Sequence, residues 1–264
     1  MLNQQNHSTE RLHLLHWSDD PLEAIARTLL QDHRESLPRL EHVTVLLPEM
    51  SAAVRLRQLL LQQAAQLGYP ALLGPQIQSW HSWLNRYDLD NLTVVSDYRR
   101  ELILLGALRQ HGGLFGEGNL WALADSLLTL FDELTLNQVG LPRDLSEFTR
   151  RLASGYGLDQ QPLEALDREA QLVHTLWHAW HDELHERGLV DRNTRHLLQL
   201  AASAEAPRQS RHPLYLLPPL PHCNAEREWL GRMLQGGGLT LFLHGNINGR
   251  SESAPRYHPQ APQR

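Results

Sequence analysis

Residues 42–61 read HVTVLLPEMSAAVRLRQLLL. His42–Leu47 is a nearly continuous apolar run rich in β-branched residues, closed by Pro48, and runs of that kind suit a parallel strand covered on both faces. From about Ser51 to Leu67 apolar residues return at helical spacing, and Gly68 ends the run. Upstream, Arg11–Trp17 (RLHLLHW) is a shorter strand-like run. Asp20-Pro21 then starts a helix whose apolar face is Leu22, Ile25, Ala26, Leu29 and Leu30. Downstream, Ala71–Leu73 and Ile77 suggest a third strand leading into Gln78–Tyr87. The chain therefore begins β-α-β-α-β.

From about Asp88 to Ala206 helical periodicity takes over: Ser96–His111, Leu120–Leu136, Leu145–Ala153, Leu163–Arg187 and Asn193–Ala204. Gly112-Gly113, Gly116, Gly118, Gly140 and Gly188 punctuate these helices. Strand signals return at Leu214–Leu217 and Leu239–Leu243, with a helix over Asn224–Leu234 between them. The simplest physical reading is an α/β fold, one parallel sheet interrupted by an inserted all-α subdomain. Residues 1–87 and 207–245 then form a discontinuous α/β head, 88–206 the inserted helical subdomain, and 246–264 a disordered tail rich in Ser, Pro, Gln and Arg.

Composition narrows the chemistry. All 24 residues counted as Lys or Arg are arginine. A P-loop needs a lysine to reach the β- and γ-phosphates as a compact charge, and arginine's planar fork does not replace it. Schiff-base catalysis and lysine general bases are excluded with it, as is a PD-(D/E)xK nuclease site. The single cysteine, Cys223, rules out disulfides within the chain and zinc ribbons. A net charge of −6 is a poor footprint for a free-standing nucleic-acid binder. The polar start and the lack of a long apolar run point to a cytoplasmic protein without a membrane segment.

Several constellations read as ordinary structure. The loop His16–Pro21 has no glycine and carries two carboxylates, so it is a helix cap rather than a phosphate cradle. Leu127–Glu133 superficially matches a strand ending in Asp-Glu, yet its apolar residues fall on a helical face, which makes Asp132 and Glu133 solvated helix-end charges. His174, His178, His181 and His185 share one side of a helix. Four imidazoles on one helix do not surround a tetrahedral ion, so the stripe is a half-buried boundary and no metal or other cofactor is expected. Arg99-Arg100, Arg150-Arg151 and Arg192 with Arg195 are weak candidates for holding phosphates.

One pair of segments is more specific. Val43–Leu61, followed by Ile77-Gln-Ser-Trp-His-Ser-Trp-Leu84, resembles the first DNA-contacting strand–loop–helix of UvrD-like superfamily 1 helicases and their Thr-Phe-His-Ser motif, here Ser79-Trp80-His81-Ser82. More closely, the chain resembles the N-terminal, helicase-like region of proteobacterial AddB proteins, through Leu46-Leu47-Pro48, the Ala- and Arg-containing helix after it, Leu72–Ile77, and Leu176-Trp177 through Gly188–Arg195. The likeness spans about Arg11 to Gly245 as a succession of moderate matches.

That resemblance implies a RecA-like sheet and an inactivated helicase within a helicase–nuclease complex for double-strand-break repair. Where a helicase ends a strand in Asp-Glu, this chain has Leu217-Pro-Pro-Leu-Pro221, and Leu243–Ile247 echoes the next motif without its Asp. The family's second motor-like domain and its nuclease are missing, so the chain is expected to be a truncated, non-enzymatic member. Its implied partners are an AddA-like motor subunit and, weakly, single-stranded or end DNA. Contacts would fall on Ser51, Arg55, Ser79, Trp80, His81 and Ser82. The alternative is a helical protein-interaction module that touches no DNA.

Overall fold

A computed structural model describes residues 11–87, 92–110, 119–155, 164–206, 212–218 and 223–244. Among these residues lie seven strands: β1 (Leu12–Leu15), β2 (Thr44–Leu47), β3 (Gln76–Ser79), β4 (Thr93–Val94), β5 (Leu189–Val190), β6 (Leu214–Leu216) and β7 (Leu239–His244). Nine α-helices accompany them. They are α1 (Pro21–Asp32), α2 (Ala52–Gln66), α3 (Trp80–Leu84), α4 (Asp97–Gln110), α5 (Leu120–Leu136), α6 (Leu145–Gly155), α7 (Glu164–Glu186), α8 (Arg192–Glu205) and α9 (Asn224–Gln235).

The main sheet has five strands in the order β1-β7-β6-β2-β3. The pairs β1–β7, β6–β7 and β2–β6 are parallel, with Leu12 opposite Leu241, Leu214 opposite Leu239 and Val45 opposite Tyr215. All four residues of β2 are buried, as its unbroken apolar run requires. Their side chains alternate between faces, and Val45 and Leu47 join Tyr215 and Phe242 in one core. Ile25 and Leu29 of α1 and Leu56 and Leu60 of α2 fill that core from the helical side. At the end of α1, the Tyr215 hydroxyl donates to the Asp32 carboxylate at 2.7 Å, and His33 Nε2 lies 3.1 Å from the Tyr215 hydroxyl oxygen.

The chain divides into two compact units. The first is Met1–Gln78, His212–Pro218 and Gly237–Arg264; the second is Ser79–Arg211 and Pro219–Gly236. The bounds are not those of the expected division: among the described residues, 79–87 and 223–236, expected in the α/β head, group with the helical unit. Aromatic packing explains the transfer. Trp229 of α9 is 2% exposed and meets Trp80 and Trp83 edge-to-face at 4.5 and 5.8 Å. Its indole N–H also donates to Ser203 Oγ of α8 at 2.7 Å. Nor is the second unit all-α, because β4 and β5 form a parallel pair within it, Thr93 opposite Leu189. Strands of two residues are too short to show any alternation. The tail 246–264 and the loop 219–222 lie outside the described residues.

The core of the second unit gathers Leu104 and Leu108 of α4, Leu127 and Phe131 of α5, and Leu176, Trp177, Trp180 and Leu184 of α7. No helix among the described residues is long and apolar enough to cross a membrane.

Candidate nucleic-acid interface

Two of the six expected contact residues sit after β2. Ser51 precedes α2 with helical backbone angles, and its hydroxyl donates to Glu49 Oε2 at 3.3 Å instead of capping the helix. Arg55 is exposed one turn later, and its Nη2 donates to Asp20 Oδ2 at 2.5 Å. Asp20 also caps α1, accepting from Leu22 N at 3.0 Å. A helix N-terminus favours negative charge, and here the chain supplies its own. Beside it, Asp19 Oδ2 accepts from His16 N at 2.9 Å. The loop where a nucleotide-binding protein would cradle phosphate is thus held together by two carboxylates. Arg57, on the same helix, is exposed and has no ion-pair partner among the described residues.

The other four residues close β3 and open α3. Ser79 has extended angles and accepts from Ser82 N at 3.2 Å, so it caps α3. His81 and Ser82 are exposed, whereas Trp80 is half-buried with its ring against Trp229. Trp83 is a core residue, 5% exposed and edge-on to Tyr87 at 5.0 Å. The six residues therefore lie in both units: Ser51 and Arg55 in the first, Ser79, Trp80, His81 and Ser82 in the second. They follow neighbouring strands, β2 and β3, of one sheet.

Two of the other charged candidates, Arg100 and Arg192, are occupied. Arg100 is 3% exposed; its guanidinium pairs with Asp132 and lies 3.7 Å from Asp97. Arg192 reaches the same two carboxylates at 3.2 and 3.3 Å. Two arginines and two aspartates thus neutralise one another across α4, α5 and the start of α8. This corrects the reading of Asp132 as a solvated helix-end charge, since it is only 19% exposed and bridges two guanidinium groups. It also removes Arg100 and Arg192 as free phosphate ligands.

The histidine stripe clamps a loop. His174 Nε2 and His178 Nε2 lie 2.8 and 3.1 Å from the carbonyl oxygen of Pro142. A carbonyl only accepts, so both rings carry hydrogen on Nε2 and turn that atom away from any metal role. Arg143, the next residue, pairs with Asp182 at 3.1 Å, which holds the Asp182 carboxyl below its ordinary range. His181 packs on Trp177 at 4.1 Å, and burial pushes its pKa down. Cys223 is buried too, and burial raises its thiol pKa.

Sequence alone missed the residues that answer the expected site. Asp20 is 35 positions from Arg55, and Trp229 is far from Trp80 along the chain. Neither pairing leaves a local pattern, and the glycine-free loop shows Asp20 only as an ordinary helix cap. The chain matches no protein-family model, and no curated protein sequence matches it.

Proposed function

We propose that the chain is a non-catalytic, helicase-like scaffold of a DNA double-strand-break repair assembly, docking on a motor subunit and guiding a DNA strand. The observation that carries this reading is what fills the loop after β1, where a nucleotide-binding α/β motor would carry its glycine-rich phosphate turn. The loop after β1 has no glycine, and its Asp20 caps α1 while holding Arg55. After β6 come Leu217 and Pro218, without the carboxylate a motor needs for magnesium.

A RecA-like strand arrangement with its nucleotide chemistry replaced supports a scaffold over a motor. Most of the helical unit, Ser79–Arg211, falls in sequence between β3 and β6, which supports reading that part as an insertion into the sheet, while Pro219–Gly236 joins it from between β6 and β7. ATP hydrolysis then belongs to the AddA-like partner, and no cofactor is needed here. DNA contact rests on Ser51 and Arg55 after β2 and on Ser79, Trp80, His81 and Ser82 after β3, with Trp80 supplying the surface for a base.

One observation favours the rival interaction module. Arg55 is already neutralised by Asp20, which leaves less free charge for a phosphate. Hydrogen exchange with and without a single-stranded oligonucleotide separates the two. Slowed exchange confined to residues 50–57 and 79–84 supports the DNA-guiding reading, and unchanged exchange in both segments favours the module.

A further inference from the structure

We infer that the outer side of α2 is a docking seam for an amphipathic helix of a protein partner, one that lays an apolar stripe on Met50, Val54 and Leu61 and sets a carboxylate against Arg57. Helix α2 buries Ala53, Leu56, Leu60 and Ala64 in the core of the first unit. A second apolar stripe runs along its solvent side. Val54 is 60% exposed and Leu61 47% exposed. Seven residues apart, they lie two turns from each other on one face. Met50, 44% exposed, sits one turn ahead of Val54, where its carbonyl oxygen accepts from Ala53 N at 3.1 Å and starts the helical turn. Ala65, also exposed, continues the line one turn after Leu61. A single apolar residue on a surface needs no explanation, but three large ones in a line at helical spacing do. The steps of 4, 7 and 4 from Met50 to Ala65 are those of a helix-packing stripe.

Charge selects the occupant. From Ala52 to Gln66 the helix carries two arginines and no carboxylate. Arg55 is held by Asp20, and Glu49, just ahead of the helix, accepts from Ser51 Oγ at 3.3 Å. Arg57 flanks the stripe, exposed and without an ion-pair partner among the described residues. Gln58 and Gln62, exposed and neutral, form the other flank. The stripe thus has one free cation beside it and no anion along it.

Other occupants suit this surface less well. Two copies of α2 crossing about a two-fold axis so that Val54 meets Leu61 would centre the crossing between Arg57 and Gln58, and the two Arg57 side chains would repel each other there. Lipid surfaces are held by clusters of basic residues, and one free arginine adds little. Aliphatic side chains give an unpaired base no ring to stack on. What fits is a helix with apolar residues at matching spacing and a glutamate or aspartate beside them. This inference rests on the docking half of the proposed function and not on DNA contact.

The test is fluorescence anisotropy of the full chain, from roughly micromolar to submillimolar, with two labelled synthetic helices that share one leucine stripe. One helix flanks the stripe with glutamate and the other with lysine. The glutamate helix should bind more tightly, and the double substitution Val54→Gln, Leu61→Gln should weaken it about tenfold or more, the scale of one buried leucine. Both positions are exposed and glutamine is a good helix former, so that variant should melt with wild type. Arg57→Glu should reverse the preference in favour of the lysine helix. Oligonucleotide binding by the glutamine variant should be unchanged, which keeps loss of docking distinct from loss of DNA contact. Failure of the glutamate helix to bind, equal binding of the two helices, or binding that neither variant alters would overturn the inference. So would a wild-type dimer in sedimentation, or retention on phosphatidylserine vesicles, that the glutamine variant loses, because the stripe would then belong to a second copy or to a membrane.

Discussion

The guanidinium of Arg55 lies 2.5 Å from the carboxylate of Asp20 and ties the first turn of α2 to the cap of α1. One aspartate thus does two jobs in the loop after β1. Asp20→Ala removes both and should destabilise the chain by about 1 kcal/mol, the usual worth of an N-cap. Asp20→Asn keeps the capping oxygen and should cost less. Arg55→Ala should cost under about 0.5 kcal/mol, because the arginine is largely exposed and such pairs contribute little. Urea denaturation of the three variants gives the order.

The glycine-free loop after β1 also makes a prediction about ATP. Only a ligand of the native state raises the melting temperature. With no lysine and no glycine in the loop after β1, millimolar ATP with Mg²⁺ should leave the melting temperature of the isolated chain unchanged. A saturable upward shift in a thermal scan would show that the sheet still holds nucleotide.

Arg100 is the charge whose removal should cost most. It is buried under Asp132 and Asp97, with its guanidinium 5.9 Å from the centre of the Trp180 ring. Arg100→Leu takes from Asp132 its buried partner and leaves it only the more exposed Arg192, and should cost about 3 kcal/mol, the low end for breaking a buried pair. Asp97 is mostly exposed, so Asp97→Ala should stay within about 0.5 kcal/mol. Chemical denaturation of both variants tests the contrast.

Acid should weaken the fold through two histidines. Burial lowers the pKa of His181 and of His33 from the ordinary 6.5. Neighbouring His178 and Arg143 push His181 the same way against Asp191 and Asp182, and His42 pushes His33 down against Asp32. Each therefore binds its proton more readily in the unfolded chain. Their contribution is complete above about pH 6.5 and is lost as the pH falls toward the lowered folded values. Denaturation from pH 7.5 to 5 should show stability dropping across that window, with a shallower slope in His181→Gln.

The features legible in the sequence were those that local physics writes locally. Asp20-Pro21 before Leu22, Ile25 and Leu29 marks α1, and the unbroken apolar run 42–47 marks the buried β2. Relationships between distant residues left no such trace. Arg100 and Asp132 are 32 positions apart, and Asp132 looked solvated until α4 packed against α5. The helix over 224–235 was visible, but its place in the second unit depends on Trp229 meeting Trp80 and Trp83. For the candidate site, Ser79-Trp-His-Ser82 was legible only as a motif, whereas the cap at Ser79 and the engagement of Arg55 by Asp20 emerge in the folded chain.

The most direct test of the DNA-guiding account is fluorescence anisotropy with a labelled oligonucleotide, single-stranded and duplex, at low and moderate salt. At −6 net charge the chain lacks the long-range field that drives non-specific affinity, so contact must come from the short segments after β2 and β3. The account predicts weak single-strand binding that falls steeply with salt and is reduced by Arg55→Ala and by Trp80→Ala. The tryptophan should matter more on single strands than on duplex, because stacking needs an unpaired base. No binding by the wild-type chain even at low salt would contradict the account and leave the interaction module in its place.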